Sequence, residues 1–250
     1  MTRVVALYNI KGGVGKTSAA VNLAWIAAQQ GARVLLWDID PQGAASYLLR
    51  IRPKVRGGGA KLLRGKTDPA AALKGSDHEL LDLLPADFSY RNMDLVLDAT
   101  RRPTQGLRRV LAPLAGDYDY VFLDCPPAIS LASESVFAAA DVLLVPLIPT
   151  PLSLRTFEQL RRFVAGEVPK PRPRIVAFFS MADGRKTLHR EVMQALAAST
   201  GGAVLGAAIP AASDVERMAL ERRALPGFAP GGRAARAYAA LWDELQPRLA

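Results

Sequence analysis

The stretch K-G-G-V-G-K-T, Lys11 to Thr17, decides the fold. It stands between an apolar run, Arg3 to Leu7, and a long alanine-rich helical pattern from Ser18 to Gln29. Glycines at 12, 13 and 15 free the backbone to turn successive N–H groups inward, and a helix starting near Lys16 adds the positive end of its dipole. Such a loop is a cradle for an anion. The ammonium of Lys16 can reach the outer phosphates of a nucleotide, and the hydroxyl of Thr17 can take one place on a bridging magnesium ion. Gly12, Gly13, Val14, Gly15, Lys16, Thr17 and Ser18 are therefore the expected phosphate-binding residues, and a nucleotide with Mg2+ the expected ligands. The residue five places before Gly15 is Ile10, where the ordinary phosphate loop has glycine, and a second lysine precedes the glycines at Lys11.

The loop resembles the deviant Walker A loop of the ParA/Soj/MinD family of ATPases. That resemblance implies a role for Lys11 in trans, reaching the nucleotide of a partner subunit. It also implies an α/β fold, a mostly parallel twisted sheet with helices on both faces.

At 250 residues and 26.8 kDa, with half the residues hydrophobic, the chain suits one large domain, expected to span residues 1–250. A single cysteine, Cys125, excludes a disulfide framework or a self-contained cysteine metal or iron–sulfur site within one chain. No apolar run approaches the roughly 20 residues of a spanning helix, so a cytoplasmic protein is expected. Net charge is +9, with 24 arginines against 8 lysines, which points to a polyanionic partner or to compositional bias.

Arg33 to Trp37 reads as a second buried strand delivering Asp38 and Asp40 at its carboxyl end, where open parallel sheets keep their sites. The sequence there, D-I-D-P-Q-G, resembles the first switch of the family. The resemblance makes Asp40 the residue that orients the attacking water and Asp38 a magnesium ligand through water. Tyr118 to Leu123 is another apolar strand ending in Asp124, followed by C-P-P, as in a Walker B carboxylate and second switch. Thr17, Asp38 and Asp124 are the expected metal residues, and Lys11, Lys16 and Asp40 the expected catalytic ones. Cys125, beside a carboxylate, is expected to be inert packing.

Residues 50–66 (RIRPKVRGGGAKLLRGK) hold seven basic residues, no acidic one and three consecutive glycines, and are expected to form a basic mobile arm. Leu80 to Leu84 reads as a short strand. Phe88 to Leu97 and Pro103 to Leu114 read as two helices. Val142 to Pro146, Arg174 to Phe179 and Ala203 to Pro210 continue the strands, with a helix from Leu152 to Val164. By resemblance, the base-side loop follows Phe179, which makes Met181 and Pro210 base contacts. His189 is expected to face solvent. The tail from Arg233 spaces Tyr238, Leu241, Trp242 and Leu245 at helical intervals, a face for packing back on the domain or for a membrane surface, with Pro247 interrupting the last turn.

Taken over the whole chain, the resemblance is closest to ParA/Soj-like partition or positioning ATPases. It implies a homodimer closed by ATP, non-specific DNA binding on the nucleoid, and a ParB-like or other adaptor protein that stimulates a slow intrinsic hydrolysis. Arg52, Lys54, Arg56, Arg185, Lys186 and Arg190 are the expected DNA contacts. The first strand begins at residue 3, so no amino-terminal operator-reading extension is expected. The family often writes an arginine-bearing IPRNVRLSEAP after its last strand. Here the sequence is IPAASDVERMA, with Ala211 and Asp214 where arginines are expected, which puts DNA contact there in doubt. Three alternatives stay open: a MinD-like ATPase positioning a system on the membrane surface, a metabolic phosphate-loop enzyme such as a ligase, and an iron–sulfur relative, which one cysteine argues against.

Overall fold

The computed structural model describes residues 1–249. Eight strands form one sheet: β1 Arg3–Leu7, β2 Val34–Asp38, β3 Lys74–Gly75, β4 Leu81–Leu84, β5 Tyr120–Asp124, β6 Val142–Leu147, β7 Arg174–Ala182 and β8 Val204–Pro210. Their order is β3-β4-β2-β5-β1-β6-β7-β8, and every pairing is parallel except β3 with β4. The apolar runs needed to be continuous because both faces are covered. Along β1 and β2, Val5, Leu7, Val34 and Leu36 enter one core, while Ala6, Leu35 and Trp37 enter the other.

On the first face lie α1 Lys16–Gln29, α2 Ala44–Leu48, α9 Ser213–Glu221 and α10 Arg233–Leu245. The opposite face is covered by α3 Gly59–Leu63, α4 Met93–Asp98, α5 Gly106–Leu111, α6 Leu131–Ala139, α7 Pro151–Glu167 and α8 Thr187–Ser199. Helix α1 is buried almost all round, as expected of a helix enclosed between the sheet and a second layer of helices. That second layer is largely α10. Its Tyr238, Leu241, Trp242 and Leu245 are all buried, and Trp242 donates its indole N–H to Gln30 at 2.8 Å while its ring meets Tyr120 edge-on at 5.1 Å. Burying one such ring is worth about 3 kcal/mol. The apolar face of the tail helix is thus spent on the domain, and among the described residues no helix is long and apolar enough to cross a membrane.

Three expectations are corrected. Residues 50–66 are docked rather than free: Val55, Leu62 and Leu63 are buried, and Gly59 lies so close under the Tyr90 ring that a Cβ would stand 2.3 Å from a ring carbon. The Asp87 carboxylate accepts the Val55 N–H at 3.0 Å, and Arg109 donates to the carbonyl of Leu63 at 3.2 Å. Three apolar residues outweighed the basic composition, while Arg52, Lys54 and Arg56 remain exposed. His189 is buried, not solvated. Its Nδ1 accepts the Asp183 N–H at 3.1 Å and so fixes the turn that precedes α8. The two helices expected between residues 88 and 114 are short α-helical pieces flanked by 3-10 turns at Phe88–Asn92, Pro103–Gln105 and Ala112–Leu114.

Candidate functional site

β1 is central, with β5 on one side and β6 on the other, so the loop that leaves it opens at the carboxyl edge of the sheet where successive strands diverge. Gly13 and Gly15 stand at φ 70° and 92°, the left-handed region that this turn requires. Gly15 also meets the end of β7: a Cβ there would lie 2.8 Å from Ser180 Oγ. No side chain caps α1 and no acidic residue occupies its first turn, so its leading N–H groups are open to an anion. Asn9 holds the loop at its entrance. Its side-chain oxygen accepts the Lys11 N–H at 2.9 Å and its amide donates to the carbonyl of Pro146 at 2.8 Å.

The two lysines of the loop differ. Lys16 is buried, and its ammonium donates to the carbonyl of Lys11 at 3.0 Å. Burial lowers its pKa, with Asp124, Cys125 and Asp40 pulling the other way. Lys11 is half-buried, and its ammonium makes no hydrogen bond or ion pair among the described residues. Val14 is buried, so it can serve an anion only through its backbone.

Opposite the loop stand two carboxylates in direct register, Asp38 on β2 beside Asp124 on β5, both with no exposure. Asp38 Oδ2 accepts two hydrogen bonds from Ser46, N–H and Oγ–H, each at 2.7 Å, and Ser46 Oγ in turn accepts the Ala86 N–H at 3.0 Å. Asp38 Oδ1 and both oxygens of Asp124 are buried without a hydrogen-bond partner. Burial pushes the carboxyl of Asp38 up to about 6 against the pull of Ser46, and pushes Asp124 well above the usual carboxylate range, with the charge of Asp38 adding to the rise and that of Lys16 opposing it. Three orphaned carboxylate oxygens beside a lysine are a cost that a hard cation would relieve, so the residues fit magnesium.

Asp40 is half-buried and closes its own turn, its Oδ1 accepting the Gln42 N–H at 2.9 Å. Cys125 is buried, and burial beside Asp124 holds its thiol well above its usual value, which suits packing and not nucleophilic attack. Met181, at φ 54° with its side chain partly exposed, follows Ser180, and Ala182 pairs with Pro210; both expected base contacts therefore lie at the strand ends nearest Gly15.

The expected DNA contacts are not brought together within the chain. Arg52, Lys54 and Arg56 border a surface depression with Lys74 and Gly75 of β3. Arg185, Lys186 and Arg190 follow β7, six strand positions away, a separation of roughly 29 Å. Arg185 pairs with Asp183 at 3.0 Å, an exposed contact in which the guanidinium holds the Asp183 carboxyl down at about 2.

Ser46, Asn9 and Tyr8 are site residues that sequence reading missed. Tyr8, buried at the end of β1, donates its hydroxyl to the carbonyl of Ala128 at 2.7 Å and tethers the segment after Asp124. Asn9 and Tyr8 were marked by their place immediately before the loop, whereas nothing in the sequence marks Ser46.

A family model described as an AAA domain matches residues 2–170. The chromosome partitioning protein ParA of Caulobacter vibrioides is 35% identical over 214 residues, covering 83% of this chain and 80% of that protein. The chromosome-partitioning ATPase Soj of Thermus thermophilus is 34% identical over 260 residues, covering 99% and 96%. Among solved structures, cobyrinic acid a,c-diamide synthase from Mycobacterium smegmatis with bound ADP and magnesium superposes with a TM-score of 0.84 at 30% identity, covering 99% of this chain and 95% of that one.

Proposed function

The chain belongs to the ParA/Soj family of partition ATPases, and from that premise we propose that it is a magnesium-dependent ATPase working as a dimer switch. ATP closes two subunits, the closed dimer binds duplex DNA without sequence preference and positions a cargo on the nucleoid, and an adaptor protein stimulates an otherwise slow hydrolysis. The observation that carries this reading is the contrast between the two lysines. Lys16 is enclosed where its charge can meet the outer phosphates, while the ammonium of Lys11 has no partner among the described residues and is left to act elsewhere.

Within the site, the N–H groups of Gly12 to Ser18 would bind the phosphates, and Ser46 would hold Asp38 in place. Thr17, Asp38 and Asp124 would hold magnesium, directly or through water. When bound, that ion supplies positive charge that offsets the phosphates and the two carboxylates. Asp40, on the loop beside them, would orient and polarise the attacking water, while Met181 and Pro210 would border the base. The exposed basic groups, Arg52, Lys54 and Arg56 with Arg185, Lys186 and Arg190, would contact DNA phosphates.

Lys16→Ala is expected to abolish nucleotide binding, whereas Lys11→Ala keeps binding and loses the ATP dimer. Fluorescent-nucleotide titration with light scattering reads both. Equal loss of affinity in the two variants, or a normal dimer in Lys11→Ala, overturns the proposal. The likeness to a diamide synthase favours a second reading, an ATP-dependent amide-forming enzyme. ATP turnover that depends on a carboxylic acid and an ammonia donor, and not on DNA or an adaptor, would select it.

A further inference from the structure

Among the described residues three non-glycine residues have positive φ, and two of them, Arg50 at 60° and Arg222 at 48°, face each other across the same contact. This backbone is disfavoured for arginine and persists only where the surroundings hold it. Each follows the end of a short helix. Arg222 caps α9, and Arg50 comes two residues after α2. Each also sends its guanidinium to the other helix. Arg222 Nε donates to the carbonyl of Tyr47 at 3.0 Å, with the guanidinium 4.5 Å from the centre of the Tyr47 ring. Arg50 Nη2 donates to the carbonyl of Glu221 at 3.1 Å, while its Nη1 pairs with Asp77 at 3.4 Å. The final carbonyls of a helix carry the negative end of its dipole, so a cation placed there is favoured; the Tyr47 carbonyl also accepts the Arg50 N–H at 3.1 Å, so both arginines meet at that one helix end.

The contact reaches the nucleotide site through adjacent residues. Next to Tyr47 is Ser46, whose two hydrogen bonds hold Asp38, and α2 continues the loop that carries Asp40. On the other side α9 is tied to α1, because buried Asn22 contacts Met218 Sδ at 3.3 Å and accepts the Leu225 N–H at 2.8 Å. Between the helices runs a cleft of about 520 Å³ bordered by Thr17, Ser18, Gln42, Tyr47, Val215 and Met218. Helix α9 therefore spans from the phosphate-loop helix to the segment behind the two aspartates.

We propose that Arg50 and Arg222 are a reciprocal pair of positioning residues that lock α9 to the Asp38–Gly43 loop, so that the state of α9 sets the rate of hydrolysis but not the affinity for nucleotide. The inference rests on the reading of Asp38 and Asp40 given above. The split follows from topology: the phosphate-binding N–H groups belong to the loop after β1 and the first turn of α1, to which neither arginine donates, whereas Asp40 and the grip on Asp38 belong to the segment the pair holds.

The full chain carrying Arg50→Ala, Arg222→Ala, both together, and Arg222→Gly tests this by steady-state ATP hydrolysis, nucleotide titration and amide hydrogen exchange of the nucleotide-free protein. Each single substitution is expected to lower kcat about five- to tenfold with nucleotide affinity unchanged within about twofold, and the double variant to be no slower than the slower single one. Exchange should quicken at residues 44–49 and 218–223 together, whichever arginine is removed. Arg222→Gly, which accepts the positive φ without strain, should match Arg222→Ala. Wild-type turnover in Arg222→Gly, additive effects in the double variant, parallel loss of affinity and kcat, or faster exchange confined to the mutated helix each overturn the pair. Absence of ATP turnover in the wild type refutes the functional reading instead, and the reciprocal exchange then decides alone whether the two helices are locked.

Discussion

Replacing Asp38 by asparagine is expected to stabilise the nucleotide-free protein while abolishing its hydrolysis. Asp38 is fully buried, stands in register beside Asp124, and has one oxygen satisfied by Ser46 and the other by nothing. Its carboxyl is raised from 3.8 to about 6, chiefly by burial. A rise of about 2 pH units opposes folding by about 3 kcal/mol at neutral pH. Asparagine keeps the acceptor for Ser46 but brings an amide N–H₂ that also needs a partner, so a net gain of about 1–2 kcal/mol remains. For a chain of this size that is a rise in Tm of about 3–6 °C. The sign with pH is fixed by proton counting: the folded state holds more protons than the unfolded one between the unfolded pKa near 4 and the folded value near 6, so wild-type stability increases as pH falls through that window. The gap between variant and wild type should therefore be widest at pH 7.5 and narrow by pH 5. Scanning calorimetry in chelator without nucleotide measures it. An Asp38→Asn protein with lower Tm at pH 7.5, or a gap that does not change with pH, would refute the reasoning that this carboxylate is an uncompensated charge.

Asp40→Ala should bind ATP and magnesium normally and hydrolyse the nucleotide at least tenfold more slowly, accumulating dimer, because in the proposed function the carboxylate acts on water and not on the ground-state phosphates; unchanged single-turnover hydrolysis removes it from the mechanism. If each subunit of the ATP dimer neutralises about three phosphates, DNA affinity should fall with a log–log salt slope near −5, and Arg52→Ala with Lys54→Ala and Arg56→Ala should flatten that slope equally on all sequences. Titrations at several salt concentrations with ATP and ADP check this, and salt-insensitive or nucleotide-independent binding counts against the switch.

The phosphate loop, the two aspartates and the strand that carries each were legible because their chemistry demands specific residues at fixed places along the chain. Gly13 and Gly15 need positive φ, and Asp38 and Asp124 must end apolar strands. The strands themselves were legible because burial on both faces leaves continuous apolar runs. What escaped reading has a different origin. Ser46 serves the site from eight residues after Asp38, and its type is common on any helix surface. His189 and the segment from Arg50 to Lys66 were misjudged for the same reason: composition predicts the average exposure of a stretch, while a few contacts, Asp183 to His189 or Tyr90 over Gly59, decide the actual one. The expected DNA contacts were grouped by charge, and the sheet order then set them far apart.

The site's unbalanced charges also explain why nucleotide and metal must act jointly. An anion entering the loop meets the open N–H groups of α1 and Lys16, but it also approaches two buried carboxylates with three unpartnered oxygens. A divalent cation alone satisfies those oxygens but adds positive charge beside the buried ammonium of Lys16. Each ligand removes the repulsion that the other meets, so their binding is positively coupled through electrostatics alone. Lys16, now drawn to the phosphates, would leave the carbonyl of Lys11 that it holds in the free protein. Loss of that contact would free the Lys11 carbonyl, with its N–H still held by Asn9, only when the site is filled. On the proposed function, the presence of a nucleotide would then pass from the buried lysine to the half-buried one, where a partner subunit would read it.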